Sequence, residues 1–493
     1  MNFSMVHDEE RMLSGVAFAL DRRSRVPVYR QLYNRTRAAI ASGQLRSGER
    51  LPSARSLAAQ LGAARGTVDA AYAMLAAEGW IVARGPAGTI VAPDLAEKLR
   101  GWAPTVTATR RGASKGLAAE IPPRPFQMGL PALDAFPRKL WSRLVAREVR
   151  ALSPAGMANR DPAGYGKLRE AIAAYLAIAR GVSCTPSQVF VTAGYQGGLS
   201  LIARTLVKRG DQVWFEDPGY YLARQGLMEA GARLIPVPVD DEGMRVAEGL
   251  ARAPRAGFIV VTPSHQCPLG VALSLPRRLA LLSWAAEAGA WIIEDDYDGE
   301  FHYNGRPLPA LKSLDRADVV LYAGSFSKVL FPALRLGYLV VPARLVQSFT
   351  LASFALHGGN ARLEQAVVAR FMIEGHFARH LKRMRGLYEA RRAALADALT
   401  AVFGDHLHVG LQSGGMHLLA RPSSGAPDTM LVQLAEMQGL APTALSPLSI
   451  DGDCSQGLLL SFTNIPREYA SEAARALRRA IGNHLAAARP GSR

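Results

Sequence analysis

Apolar residues near the start of the chain fall into three helical rhythms and then into a shorter one. In VPVYRQLYNRTRAAIASGQL, residues Val28, Leu32, Ile40 and Leu45 recur at helical spacing, and Gly43 marks the end. LPSARSLAAQLG opens on Pro52-Ser53, a proline followed by a residue suited to an N-cap, and stops at Gly62. ARGTVDAAYAMLAAEG turns Val68, Ala71, Met74 and Leu75 to one side. WIVARGPAGTIVA then gives two short β-rich runs around Gly85-Pro86-Ala87-Gly88, a hairpin signal. Helix, helix–turn–helix and β-wing over residues 25–93 is the order of a winged helix-turn-helix domain.

Periodicity then lapses. Residues 94–125, including APTVTATRRGASKGLAAEIPPRP, are rich in Ala, Thr, Arg and Pro and read as a linker. From 126 to 489 apolar strands alternate with amphipathic helices: QVFVTAG, QVWFEDPG, GFIVVTPS, AWIIEDDYD and VVLYAGSFSK, with helices such as LREAIAAYLAIARG between them. That alternation predicts a mostly parallel sheet covered on both faces, so the chain is multi-domain α/β. Ligands of such sheets bind beyond the carboxyl ends of the strands. Those ends carry Gly194, Glu216–Tyr220, Ser264-His265-Gln266, Asp295-Asp296-Tyr297 and Ser325–Lys328.

Composition adds two constraints. At 493 residues, with 49% hydrophobic and 20% charged residues, the chain is an ordinary globular protein of two or three domains. Its opening, MNFSMVHDEERML, has no secretory pattern, and no apolar run is long enough for a membrane span. Cys184, Cys267 and Cys454 are scattered and odd in number, which points to a reducing compartment, the cytoplasm. The net charge of +17 is uneven: Arg22 to Arg84 holds eleven arginines and three acids. A basic N-terminal domain suggests double-stranded DNA as partner, against the plainer reading of a solvated arginine-rich surface. Arg65 and Thr67 suit phosphate or major-groove base contacts, Ser53 and Arg55 backbone or base contacts, and Arg84 the minor groove. Asp69 would repel phosphate unless it caps or pairs with an arginine, and Arg55 has an ion pair as its structural alternative.

The strand-end clusters carry a second chemistry. Lysine is scarce, eight against fifty arginines, yet Lys328 follows an apolar strand. A partly buried lysine of lowered pKa can form a Schiff base, and pyridoxal 5'-phosphate needs that lysine, an acid for its ring nitrogen and a phosphate cradle. Asp295 suits the ring nitrogen, Tyr297 the ring hydroxyl, and Tyr220 a stacking position. Ser325, Ser327, Arg335 and the turn Gly194-Tyr195-Gln196 suit the phosphate. Each has a plain alternative: a surface lysine, a helix-capping acid, a wall tyrosine, a loop-satisfying Ser264-His265-Gln266. Their run in one order, each after a strand, is what those alternatives do not explain. No metal site is expected.

Two stretches together carry a family resemblance. IIEDDYDGEF with VVLYAGSFSKVLFPALRLGYLVVP, TPSHQCPLG and FEDPGYY looks like the aminotransferase-like domain of MocR/GabR-type bacterial regulators. PVYRQLYNRTRAAIASGQLRSGERLPSARSLAAQLGAARGTVDAAYAMLAAEGW is similar to the GntR-type winged helix that precedes it, so the likeness spans about residues 25–485. It implies a transcription regulator with an effector domain of the type I aminotransferase fold, holding pyridoxal phosphate on Lys328 and responding to an amine or amino acid, or to the cofactor itself. It also implies a homodimer on repeated operator half-sites. The alternative is a working aminotransferase with an accessory DNA-binding domain.

Two departures bear on that choice. Aminotransferases of this fold place a carboxylate-clamping arginine before a short L-x-F strand, and here GLLLSFTN puts Leu459 there, with no Arg or Lys between Arg421 and Arg467. Losing such a clamp removes the positioning that turnover relies on. The usual N-P-x-G turn is SHQCPLG, so the ring-hydroxyl contact of its asparagine falls, if anywhere, to His265 or Gln266.

Overall fold

The computed structural model describes residues 24, 26–85, 88–93, 122–158, 161–303, 309–357, 361–452 and 454–485. The opening segment, most of the expected linker at 94–125, Pro86 and Ala87 of the hairpin, and 486–489 lie outside the described residues. The chain divides into two compact units, Met1–Ala119 and Glu120–Arg493.

The first unit runs α1 (Val28–Ala41), β1 (Arg50–Leu51), α2 (Ala54–Leu61), α3 (Arg65–Ala77), β2 (Ile81–Ala83) and β3 (Thr89–Val91). Ser53 accepts the Ser56 amide at 3.1 Å and so starts α2, and Gly62 ends it at φ 57°. Leu32, Ile40, Val68, Ala71, Leu75, Ile81 and Val91 form one buried cluster. Two details differ from the sequence reading. α1 ends at Ala41, before Gly43, and Leu45 reaches the core from the following turn, its amide donating to the Ala39 carbonyl at 3.0 Å. The wing also gains a third strand, in the order β1-β3-β2, because two residues are too few to show any period.

The second unit is built on an eight-stranded sheet. Its elements are α4 (Arg138–Ala151), α5 (Gly166–Ala179), β4 (Val189–Thr192), α6 (Gly194–Leu206), β5 (Gln212–Asp217), α7 (Tyr221–Glu229), β6 (Arg233–Asp240), β7 (Gly243–Met244), β8 (Phe258–Val261), α8 (Leu275–Ala288), β9 (Trp291–Asp296), β10 (Val320–Ser325), β11 (Gly337–Val340) and α9 (Val346–His357). The strand order is β4-β11-β10-β9-β8-β5-β6-β7. β5, β8, β9 and β10 are mutually parallel, whereas β11 enters antiparallel between β10 and β4, and β7 antiparallel beside β6. The five anticipated strands therefore end on one edge.

Both faces of this sheet are buried, which is why its strands read as continuous apolar runs. Phe258 and Val260 share one face with Ile293 and pack with Leu199, Leu227 and Phe349, whereas Ile259 and Val261 share the other with Trp214 and Ile292 and pack with Leu281 and Ala285. Trp214 stacks on Trp284 at 3.9 Å, and Gly249 permits this, since a Cβ there would lie 2.7 Å from the Trp214 ring. Beyond α10 (Arg362–Ile373) and α11 (His376–Phe403) comes a smaller antiparallel sheet in the order β12-β13-β15-β14. Its strands are β12 (Leu407–Gly410), β13 (His417–Pro422), β14 (Thr443–Ala444) and β15 (Leu458–Ser461), with α12 (Asp428–Met437) and α13 (Ala470–Ile481) packed against it. No helix among the described residues is long and apolar enough to cross a membrane.

Candidate functional site

Strand alternation separates the two adjacent acids at the end of β9. Asp295 pairs across to Ala323 and Asp296 to Gly324, so their side chains leave opposite faces of the sheet. Asp296 is taken up structurally: Arg180 Nε donates to its Oδ2 at 2.7 Å and the Tyr322 hydroxyl at 2.5 Å, all three side chains being buried. Arg180 also donates to Ser264 Oγ at 2.7 Å and the Gly299 carbonyl at 3.2 Å. Asp295 is equally buried but has no hydrogen-bond partner among the described residues. Burial first, then the charge of Asp296, holds its carboxyl well above the usual carboxylate range, and Lys328 pulls the other way.

Lys328 follows β10 by three residues, and its amine donates to the Gly129 carbonyl at 3.3 Å. Burial lowers the pKa of that amine, partly offset by Cys267, Asp298 and Asp295. A neutral lysine amine is the form that attacks a carbonyl. Gly129 has φ 82°, which favours glycine, and a Cβ on it would stand 2.6 Å from the Lys328 Nζ, so a larger residue would displace the lysine amine.

Several other residues singled out in the sequence gather nearby. His265 Nδ1 lies 3.1 Å from the Tyr297 hydroxyl and 3.2 Å from Asp298 Oδ2. The rings of Tyr195 and Tyr220 are 6.1 Å apart, and Asp295 acts on both hydroxyls. The Tyr195 hydroxyl and His265 Nε2 are buried with no partner among the described residues, so both are free to meet a ligand. Gly194, at φ 75°, begins α6, and Tyr195 and half-buried Gln196 follow in its first turn. Arg335, exposed and at φ 49°, donates to the Ala193 carbonyl at 3.4 Å, which brings its guanidinium to that turn. Ser325 Oγ accepts the Ser327 amide at 3.2 Å.

Other residues complete the surroundings of the site. Gln266 turns away from the site, donating to Glu216 Oε2 at 3.3 Å and to the Pro218 and Cys267 carbonyls at 2.9 Å each. Of the two candidates for the ring hydroxyl, only His265 touches Tyr297. Burial raises the Glu216 carboxyl to about 7, although Thr262 and Gln266 bond to it. His417, on β13, has its Nε2 2.9 Å from the Pro268 carbonyl, and its ring lies 5.8 Å from that of His265. Gly129, Cys267, Asp298 and His417 lie in different segments, and only the fold makes them neighbours. Leu459, on β15, is buried with Leu419 and Leu445, and Met128, Leu269, Leu448 and Cys454 pack on this cluster.

The first unit presents the other candidate surface. Along α3 the exposed positions are Arg65, Gly66, Asp69, Ala70, Ala73, Ala76 and Ala77, while Val68, Ala71, Tyr72 and Leu75 face the core. Arg65 Nε sits 3.5 Å from Asp69 Oδ2, so the acid pairs with its neighbour one turn away. Thr67 is half-buried at the helix start. Ser53 is exposed but its hydroxyl oxygen is used by the α2 cap. Arg55 is exposed with no ion pair among the described residues, and Arg84 is exposed at the end of β2.

Both units match known families. Residues 28–91 match the bacterial regulatory proteins of the gntR family, and residues 145–477 match aminotransferase class I and II. The chain is 38% identical over 471 residues to the probable rhizopine catabolism regulatory protein MocR of Rhizobium meliloti, covering 94% of this chain and 95% of that one. It is 33% identical to the pyridoxine biosynthesis transcriptional regulator PdxR of Corynebacterium glutamicum, covering 92% and 95%. Among solved structures, the α-aminoadipate aminotransferase LysN of Thermus thermophilus, complexed with N-(5'-phosphopyridoxyl)-L-leucine, superposes with a TM-score of 0.66 at 30% identity, over 73% of this chain and 92% of that one.

Proposed function

The chain belongs to the MocR-type transcription regulators, a gntR-family winged helix joined to an aminotransferase class I and II unit, and from this we propose how its parts work. The first unit binds promoter DNA, with α3 entering the major groove. The second holds pyridoxal 5'-phosphate and reads an amine or amino-acid effector, in a homodimer.

The observation that carries this reading is the pairing of an unpartnered buried acid with a buried amine of lowered pKa. Asp295 is costly to ionise where it stands, and a ring N–H would give it the hydrogen bond and the positive charge it lacks. Lys328 supplies the amine, Tyr297 held by His265 suits the ring hydroxyl, and Tyr220 suits the ring face. The α6 start at Gly194–Gln196, with Arg335, Ser325 and Ser327, suits the phosphate, since orphan amides and a guanidinium fork both favour an anion. When bound, the cofactor supplies an aldehyde that condenses reversibly with primary amines and a ring that withdraws electrons. An effector must bind one arrangement of the regulator better than another to switch it.

The test uses purified full-length protein. Borohydride reduction followed by peptide mass spectrometry should find a pyridoxyl group on Lys328, and Lys328→Ala should lose the visible absorption band while retaining DNA affinity. No adduct on Lys328 in cofactor-loaded protein would refute the reading. DNA affinity with and without cofactor, no amine added, separates amine sensing from sensing of the cofactor. Steady transamination of an amino acid would instead favour a working enzyme.

A further inference from the structure

We propose that the effector taken at Lys328 is a primary amine with no carboxylate on the amine-bearing carbon, and that the Leu459 cluster sets this preference. The inference rests on the reading of Lys328 as the amine-handling site.

The charges acting on the Lys328 amine come from Cys267, Asp298 and Asp295, all anionic when ionised. None of them is a cation, so none would pair with a carboxylate arriving beside Lys328. Among the described residues, the buried arginines of this unit are already engaged. Arg180 holds Asp296, and Arg278 donates to the Leu273 and Pro263 carbonyls at 2.8 and 2.6 Å. Arg391 holds Asp134 and the Thr463 carbonyl, and Arg392 donates to the Gln412 carbonyl and lies over the Tyr303 ring. The small sheet brings no replacement, because no Arg or Lys occurs between Arg421 and Arg467.

The Leu459 cluster contains no cation, and two of its half-buried members, Met128 and Leu269, adjoin site residues along the chain. Met128 immediately precedes Gly129, whose carbonyl takes the Lys328 amine, and Met128 packs on Leu459, Leu419 and Leu445. Leu269 packs on the same cluster and stands between Pro268, bonded to His417, and Gly270, where a Cβ would lie 3.0 Å from His265 Nε2. The cluster is thus one residue along the chain from the lysine's acceptor and from the His265 edge of the site. A carboxylate brought against this wall loses its water and meets no cation, whereas a carbon substituent gains contact. The leucine wall favours an amine whose carbon bears hydrogen or alkyl groups.

The experiment titrates cofactor-loaded, full-length protein with matched pairs, 3-methylbutylamine against L-leucine and 2-phenylethylamine against L-phenylalanine, following the visible band. Each amine should bind at least about tenfold more tightly than its amino acid, the discrimination expected when one partner leaves a charge unpaired. Leu459→Arg should reverse the ratio and Leu459→Met should keep it. Equal or tighter binding of the amino acids by the wild type overturns the proposal, as does a band unmoved by every compound. The wild-type comparison stands alone if Leu459→Arg does not fold. A protein with no visible band after cofactor loading refutes the cofactor reading itself, whereas a band with a carboxylate preference refutes only this inference.

Discussion

Replacing Arg180 by methionine removes the buried guanidinium that neutralises Asp296 at the end of β9. At 2.7 Å, with an effective dielectric constant of roughly 20, the gross attraction of this pair is about 6 kcal/mol. Desolvation offsets part of that, since burial alone would lower the arginine's pKa; Asp296, Tyr322, Glu300 and Glu294 outweigh it and raise the pKa. Methionine fills much of the volume, so the loss is chiefly that of an unpaired buried acid, about 3–5 kcal/mol. The Ser264 and Gly299 bonds go with it. Equilibrium urea unfolding of the full-length protein, followed by tryptophan fluorescence, reads the change, because four of the six tryptophans (Trp141, Trp214, Trp284 and Trp291) lie in the second unit. Arg180→Met should lower stability by that amount, and Arg180→Met with Asp296→Asn should cost less than the two single changes added, by about 2 kcal/mol or more. A loss below about 1 kcal/mol, or strict additivity, would show that the pair does not hold the strand end.

Three further outcomes follow from named contacts. Arg65→Ala should weaken operator binding by about 1–3 kcal/mol if the guanidinium reads a base, and Asp69→Asn should raise affinity for unrelated DNA and steepen its salt dependence; unchanged binding in both removes α3 from the interface. Gly415→Ala should destabilise the second unit by at least about 1–2 kcal/mol, because its φ is 90° and the new Cβ would lie 1.8 Å from the His265 ring; a thermal melt matching the wild type would mean that the ring moves aside freely. Burial, then the charge of His265, lowers the His417 pKa to about 4 from an ordinary value near 6.5. The folded form therefore binds the proton less readily than the unfolded chain, and stability present above about pH 6.5 is lost as pH falls towards 4, by up to about 3 kcal/mol. Glu216 and Glu294, both raised to about 7 by burial, act in the opposite sense over an overlapping range. The wild type minus His417→Gln stability difference across pH 4–7 isolates the histidine, and a flat difference would refute its burial in the neutral form.

The sequence by itself determined what depends on neighbours along the chain. Helical spacing gave α2 and α3 with their Ser53 and Gly62 ends, apolar runs gave β5, β8, β9 and β10, and polar clusters after those runs marked one edge of a sheet. Parallel strands with both faces buried put their polar residues at the carboxyl ends, so the strand-end places of Asp295, Asp296 and Lys328 were legible before any fold was known. β11 was not read as a strand, since four residues within a glycine-flanked run give no period of their own, and its antiparallel place is set by β4 and β10.

The tertiary structure decided which of two adjacent acids faces the lysine. Asp295 and Asp296 are alike in composition and position, and only the strand register with Arg180, 116 residues away, assigns one to structure and leaves the other free. The same holds for Gly129 under Lys328, for His265 rather than Gln266 beside Tyr297, and for the Leu459 wall. The reason is physical: periodicity reports which side of an element is apolar, whereas an electrostatic site is made by convergence of residues far apart in the chain, and burial gives their charges force only once the intervening water has gone.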